Sequence, residues 1–345
     1  MNPLPRRAVS CSMPSLRFAL VALALLAGCA TTQSTAGTNT AAAHHTRHPP
    51  DVHGDPLRLL PAGAITWMRT DAAALRASPH FDAGMALARD LGADFALVER
   101  ELGFDPFRSA ERVAFAVYAP PGDAQAGWPL VYARGGFDRD AVLASARARN
   151  ANAAPTTVTE EGMAFTVIGE RAYLFPAPDV MLVMERALVR RAAARLSGES
   201  ERSVLDDARF GDLWRAAGGM DGAFAAAADL AATRARVRVQ GEPAQAQGLE
   251  LLVVHGDAPS DATVRAAALA RDEQSARAAV AEIDDIRNET AGQLAVRLLG
   301  LSSLLRDGIQ TSTDGRIALA SVQARNDDVR RLLRASSLFR ELTGR

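Results

Sequence analysis

The sequence predicts an α+β protein made of two similar units, each an antiparallel sheet with helices packed on it. Short strand-like apolar runs are separated by Gly, Pro and acidic turns. Between them lie longer stretches whose apolar residues recur every three or four positions, the helical period. The same succession of strand, capped helix, hairpin and helix occurs twice.

The folded part is expected to begin near Leu57. Ala64 to Arg69 reads as a strand and Asp71 to Ala77 as a helical turn. Ser78-Pro79 fits an N-cap followed by proline at the first helical position. Leu87, Leu91, Phe95, Val98 and Leu102 then share a helical face that Gly103 ends. Strands over Arg112 to Ala119 and Pro129 to Arg134 flank the Pro120-Pro121-Gly122-Asp123 turn, and Asp138 caps a helix to about Arg149. Val158-Thr159 and Met163 to Ile168 form a hairpin over Glu160-Glu161-Gly162. Ala172 to Phe175 and Val180 to Met184 follow, then a helix from Glu185 to Leu196.

Ser203-Val204-Leu205-Asp206 has the pattern of a capping box, with Phe210, Leu213, Trp214 and Ala217 on one face behind it. Strands are expected at Ala223 to Leu230, Ala235 to Val239, Leu249 to His255 and Thr263 to Ala270. The longest helix should run from Glu273 to about Leu299, with Ala276, Val280, Ile283, Ile286, Thr290 and Leu294 inward. A hairpin around Gly315 and a helix from Asp327 close the chain. In this reading Pro129 to Arg134 with Asp138 matches Thr263 to Asp272. The hairpin at Glu160-Glu161-Gly162 matches the one at Asp314-Gly315, so residues 57–198 and 199–345 form two copies of one unit, as in an internal duplication.

The N-terminus carries a different message. Arg6, Arg7 and Arg17 precede an apolar run from Phe18 to Leu26, and small residues follow. That is the layout of a secretory signal, with Met1 or Met13 as its start, and the run falls short of the roughly 20 residues that span a bilayer. Leu26-Ala27-Gly28-Cys29 resembles the lipobox of bacterial lipoproteins. The resemblance covers residues 1–29 and implies cleavage before Cys29, lipid attachment to it, and a palmitate-bearing mature N-terminus. Ala30 is not the Asp that marks inner-membrane retention in the familiar sorting rule, so the periplasmic face of the outer membrane is expected. The folded part resembles in general style the uncharacterised lipoproteins of GC-rich bacteria, which implies no activity.

Cys11 and Cys29 are the two cysteines of the chain, and Cys11 lies in the part to be removed. The mature chain thus has no pair for an internal disulfide even in an oxidising compartment. Loss of the signal leaves 36 basic against 40 acidic residues, a net charge of −4. This balance argues against nucleic-acid binding, which needs a basic stripe. Residues 30–56 are poor in large apolar side chains and read as a disordered tether with an r.m.s. reach of roughly 30 Å.

Four histidines, His44, His45, His48 and His53, fall in that tether. Imidazoles bind zinc, copper or nickel, but an unfolded tract pre-organises nothing, so no metal or other cofactor is assigned. His80 is expected at the surface of a first helical turn, and His255-Gly256-Asp257 as a loop contact. Gly135-Gly136-Phe137-Asp138 joins strand to helix but lacks the lysine and spacing of a phosphate loop. The pairs Asp206-Asp207, Asp284-Asp285 and Asp327-Asp328 read as solvated, since neighbours on a helix diverge by about 100°. No catalytic residue is assigned. The expected function is a non-catalytic binding, scaffolding or assembly module, held to the membrane by its lipid and meeting an envelope protein partner. The alternatives are a carrier of a hydrophobic ligand such as lipid, which requires an apolar cavity, and an envelope hydrolase, which requires His80 or His255 beside a carboxylate.

Overall fold

The strand β1 (Ala64–Asp71) ends on Asp71, whose carboxylate accepts from the Ala74 N–H at 2.8 Å and turns the chain directly into α1 (Ala72–Ala77). The second unit repeats the device. There β8 (Phe224–Asp229) ends on Asp229, which accepts from the Ala232 N–H at 2.8 Å and starts α7 (Leu230–Arg234). The seven residues from Asp71 read Asp-Ala-Ala-Ala-Leu-Arg-Ala, and those from Asp229 read Asp-Leu-Ala-Ala-Thr-Arg-Ala. The fold, obtained as a computed structural model, is described for residues 49–345 apart from 91–98, 100–101, 121–126, 199–200, 236–245, 258–260, 294–295, 298–299 and 344–345.

Between these elements the first unit runs α2 (Phe81–Asp90), α3 (Pro106–Ser109), β2 (Ala110–Tyr118), β3 (Trp128–Gly135) and α4 (Arg139–Arg149). Four strands follow, β4 (Thr156–Glu160), β5 (Met163–Ile168), β6 (Arg171–Ala177) and β7 (Val180–Glu185), then α5 (Val189–Leu196). The second unit opens with α6 (Gly211–Ala217) ahead of β8 and α7. It continues through β9 (Leu249–Asp257), β10 (Ala262–Ala270), α8 (Glu273–Gly292), α9 (Ser302–Asp307), β11 (Ile309–Asp314), β12 (Ile317–Ala324) and α10 (Asn326–Thr343).

The twelve described strands join one sheet in the order β11-β12-β10-β9-β8-β1-β2-β3-β7-β6-β5-β4. Every neighbouring pair is antiparallel. Read outward from the central β8–β1 pair, both units follow one plan: first, second, third, last and next-to-last strand. The registers coincide as well. Asp71 faces Arg112 as Asp229 faces Leu251, Arg112 faces Arg134 as Leu251 faces Leu269, and Arg134 faces Val180 as Leu269 faces Ile317.

Three backbone locks recur at matching places. Arg76 donates to the carbonyl of Ala110 at the start of β2, and Arg234 to that of Leu249 at the start of β9. The Gly136 N–H bonds Ser109 O at 3.2 Å, as Arg271 N–H bonds Gly248 O at 2.9 Å. Gly135 N–H reaches Asp179 O, and Ala270 N–H reaches Arg316 O. The chain therefore consists of two topologically equivalent α+β units that share one continuous sheet.

The equivalence corrects one expectation. The partner of the β11–β12 hairpin is β6–β7, because β7 pairs with β3 as β12 pairs with β10. The β4–β5 hairpin over Glu160-Glu161-Gly162 is an addition at the sheet's outer edge. Two further elements differ from expectation. Asp229 caps a helix where Ala235 was to open a strand, and Ala235 is the C-cap of that helix, with 236–239 outside the described residues. The long helix stops at Gly292, since Gln293 is extended and its N–H closes onto Thr290 O. On α8 the middle of the inner face is polar. Asp284 accepts from Thr311 Oγ1 at 2.7 Å and pairs with Arg287, which donates to Ile309 O on the edge strand. Ile283 is thereby turned outward and is 37% exposed. Of the helix expected around Leu87 to Leu102, positions 91–98 and 100–101 lie outside the described residues, while Leu102 is buried and Gly103 has φ +81°.

One sheet face carries the main core, which crosses both units from Phe165 and Leu182 through Trp67 to Val253 and Ala267. It is covered by the turn Pro56–Leu59, by α5 through Val189, Ala192, Ala193 and Leu196, and by α6 through Leu213, Trp214 and Ala217. On the opposite face Val142, Leu143 and Ala146 of α4 cover Ala133, Ile168 and Met181. The paired caps give a direct test. Asp71→Ala should cost about 1 kcal/mol, the usual worth of an N-cap. Asp229→Ala should cost more, because Asp229 also pairs with Arg209 at 2.7 Å. Urea unfolding midpoints read both, and unchanged midpoints would contradict the capping account.

Candidate functional site

Strand register gathers three arginines at one end of the main-core face. Arg112 and Arg134 are direct neighbours on β2 and β3, and Arg69 lies two residues before the Asp71 that faces Arg112. Side chains two apart on a strand share a face, so the three form a basic corner. The segment 51–55 straps across it. Tyr132 Oη donates to Val52 O at 2.9 Å, Arg134 Nη1 to His53 O at 2.8 Å and Arg112 Nη1 to Gly54 O at 3.4 Å. Asp51 folds the strap by accepting from the His53 N–H, and Asp55 caps the turn Pro56–Leu59. Burial pushes the Tyr132 hydroxyl up to about 12, against the lowering pull of Arg134, so it stays protonated as a donor.

This corrects the expected end of the tether. The body takes hold at Asp51, some residues before Leu57, because β2 and β3 offer donors to the carbonyls of the segment and Val52 packs against the main core. His53 is the one tether histidine among the described residues. Its Nε2 meets Asp179 Oδ1 at 3.0 Å, and that hydrogen bond lowers the pKa of the Asp179 carboxyl. His44, His45 and His48 lie outside the described residues, as does Cys29. Among the described residues no three His, Cys, Asp or Glu side chains group as metal ligands.

Beside the strap, a cleft of about 160 Å³ opens between Asp55, Arg69, Asp71, Arg112 and Gly222. Gly222 on its far side ends the loop Ala217-Gly218-Gly219-Met220-Asp221-Gly222, in which all three glycines have positive φ. Carbonyls of this loop point at the sheet. Arg69 Nη2 donates to Met220 O at 2.6 Å, while His255 Nδ1 and Nε2 lie 2.8 and 2.9 Å from Asp221 O and Ala217 O. The Arg69 Nε is buried without a partner among the described residues.

His255 therefore acts as the expected loop contact, packed edge-on against Trp214. His80 does not lie at the surface. It is 6% exposed, its N–H bonds Ser78 Oγ at 3.2 Å, and its Nε2 meets Asn326 Oδ1, which ties the start of α2 to the start of α10. Among the described residues neither imidazole is paired with a carboxylate. The Gly135-Gly136 turn spends its N–H groups on Asp179 O and Ser109 O, and Asp138 accepts from Asp140 and Ala141, leaving no anion cradle there.

In the acidic pairs Asp206, Asp285 and Asp327 are exposed as expected, while Asp207, Asp284 and Asp328 are half-buried. Asp206 accepts from both the N–H and Oγ of Ser203. Asp207 lies against Arg209, whose guanidinium holds its carboxyl below the ordinary aspartate range. Asp284 is committed to Thr311 and Arg287, and Asp328 lies 3.6 Å from Arg331. A second groove, about 550 Å³, separates α4 from the β4–β5 hairpin and is lined by Arg139, Arg147, Thr156, Thr157 and Thr166. The sequence reading missed the arginine corner, because its members lie far apart in the chain and meet only through register. A usable signal was present in the repeat: Arg69 and Arg112 stand where the second unit has Ala227 and Leu251.

No family model matches the chain, and no curated protein matches it significantly. Solved structures of TP0453 in crystal forms I and III share 10% and 12% identity with it. They superpose with TM-scores of 0.42 and 0.43, over 82% and 83% of this chain and 97% and 100% of theirs.

Proposed function

We propose that the protein is an envelope lipoprotein, acylated at Cys29 and held at the periplasmic face of the outer membrane. Its two-unit sheet body serves as a non-catalytic binding, scaffolding or assembly module for an envelope partner. The single observation that carries this reading is Leu26-Ala27-Gly28-Cys29 behind a basic and then apolar N-terminus. A thioether-linked diacylglycerol with a further acyl chain provides the more-than-one-chain attachment that stable anchoring requires. None of the described helices is long and apolar enough to cross a membrane.

The body's side chains favour a binding role over the alternatives. Both buried histidines are engaged by a neighbouring amide or by backbone carbonyls, whereas a hydrolase needs a base beside a nucleophile or water. A carrier of hydrophobic ligand needs an apolar cavity, while the cleft and the groove are lined mainly by arginine, aspartate and threonine, with Pro56, Gly222, Leu143 and Pro155 the only other residues. The test is metabolic labelling with palmitate. The native chain should take up label and Cys29→Ala should take up none; label persisting in the variant would refute the anchor.

A further inference from the structure

We propose that the cleft between the strap and the glycine loop binds a compact zwitterion, an oxyanion joined to an ammonium group, with Arg69 and Arg112 holding the oxyanion. This rests on the body being a binding module but not on its anchoring. The first ground is unused donor capacity. A guanidinium carries five N–H donors. Arg69 spends one on Met220 O and keeps a buried Nε without partner among the described residues. Among the described residues Arg112 makes one hydrogen bond, 3.4 Å long, to Gly54 O. Neither forms an ion pair with a described carboxylate, although Asp55 and Asp71 line the same cleft. Buried donors left unmade are costly, and a planar guanidinium matches carboxylate and phosphate oxygens in pairs.

The second ground is the internal repeat, which shows what the fold itself needs at these places. By register, Arg69 corresponds to Ala227 and Arg112 to Leu251. Those residues are buried, at 2% and 7% exposure, in the ordinary apolar core. The same strands thus assemble without the arginines, and the charges in the first unit are a local addition. Gly222 keeps the wall close: its φ is +126°, and a Cβ there would stand 2.3 Å from Gly256 O.

The acidic side of the cleft sets the other half of the ligand. Asp55 and Asp71 each spend one carboxylate oxygen on a cap, to Leu57 and Ala74 N–H, and retain the second as an acceptor. An anion alone would meet their repulsion; an ammonium beside it would meet them favourably. The volume equals about five waters at roughly 30 Å³ each, room for a ligand the size of an amino acid or a small headgroup.

The full chain in detergent is titrated with glycine and with phosphoethanolamine, and with acetate and chloride at matched ionic strength, while the unfolding temperature is followed. Saturable stabilisation by glycine points to an amino-acid or peptide source, and by phosphoethanolamine to a lipid headgroup; either supports the site. Arg112→Gln, whose native bond is long, should raise the half-saturating concentration at least tenfold, and Arg69→Gln likewise, with circular dichroism showing that each variant is folded. Equal responses to all four solutes, acetate matching both zwitterions, or undiminished binding in Arg112→Gln would each overturn the proposal. The palmitate experiment reads the anchor alone, so failure here leaves that reading standing.

Discussion

Trp67→Ala should destabilise the protein by about 3–5 kcal/mol, the usual cost of deleting a buried aromatic side chain. Trp67 is 2% exposed on the central strand β1, yet its ring partners belong to the second unit: Phe210 at 6.4 Å and Trp214 at 5.7 Å. It joins the two units across the same seam as the β1–β8 ladder. Loss of the ring should therefore lower one cooperative transition, monitored by circular dichroism in urea and by the fluorescence of Trp128 and Trp214. Two separate transitions, with only one shifted, would show that the units fold independently despite the shared sheet.

Gly222→Ala should cost about 3 kcal/mol, from a strained positive φ together with overpacking against backbone. The obstructing atom is Gly256 O, 2.3 Å from the would-be Cβ, and a strand carbonyl in a ladder has little room to retreat. Gly162 makes the contrast. It too has positive φ, at +75°, but has nothing within 4 Å of its would-be Cβ, so Gly162→Ala should cost the smaller strain alone. Thermal unfolding of the two variants side by side gives the comparison, and equal losses would contradict the crowding argument.

Local chemistry made most elements readable from sequence. Asp138 and Ser203 announced their caps, and the runs around Phe115, Val131 and Val253 their strands, because cap and alternation are properties of adjacent residues. The repeat was legible in its strand–helix succession but not in its detail. Pairing β11–β12 with β4–β5 relied on similar turns, whereas the true equivalence is fixed by which strand returns to β3 and β10. That is a long-range fact with no local sign. The inner face of α8 was misread for a related reason. Periodicity assumed an apolar neighbour, but the edge strand offers Thr311 and a free carbonyl, which Asp284 and Arg287 satisfy. The arginine corner was invisible because each arginine, taken singly, is an unremarkable strand residue.

The central claim is that Cys29 is the acylated first residue of the mature chain, and mass spectrometry of the N-terminal peptide from membrane-purified protein tests it most directly. The account predicts a peptide beginning at Cys29 whose mass exceeds the bare sequence by a diacylglyceryl group, with or without a further acyl chain. Recovery of an unmodified Cys29 inside a longer peptide, or of a mature terminus elsewhere, would contradict it.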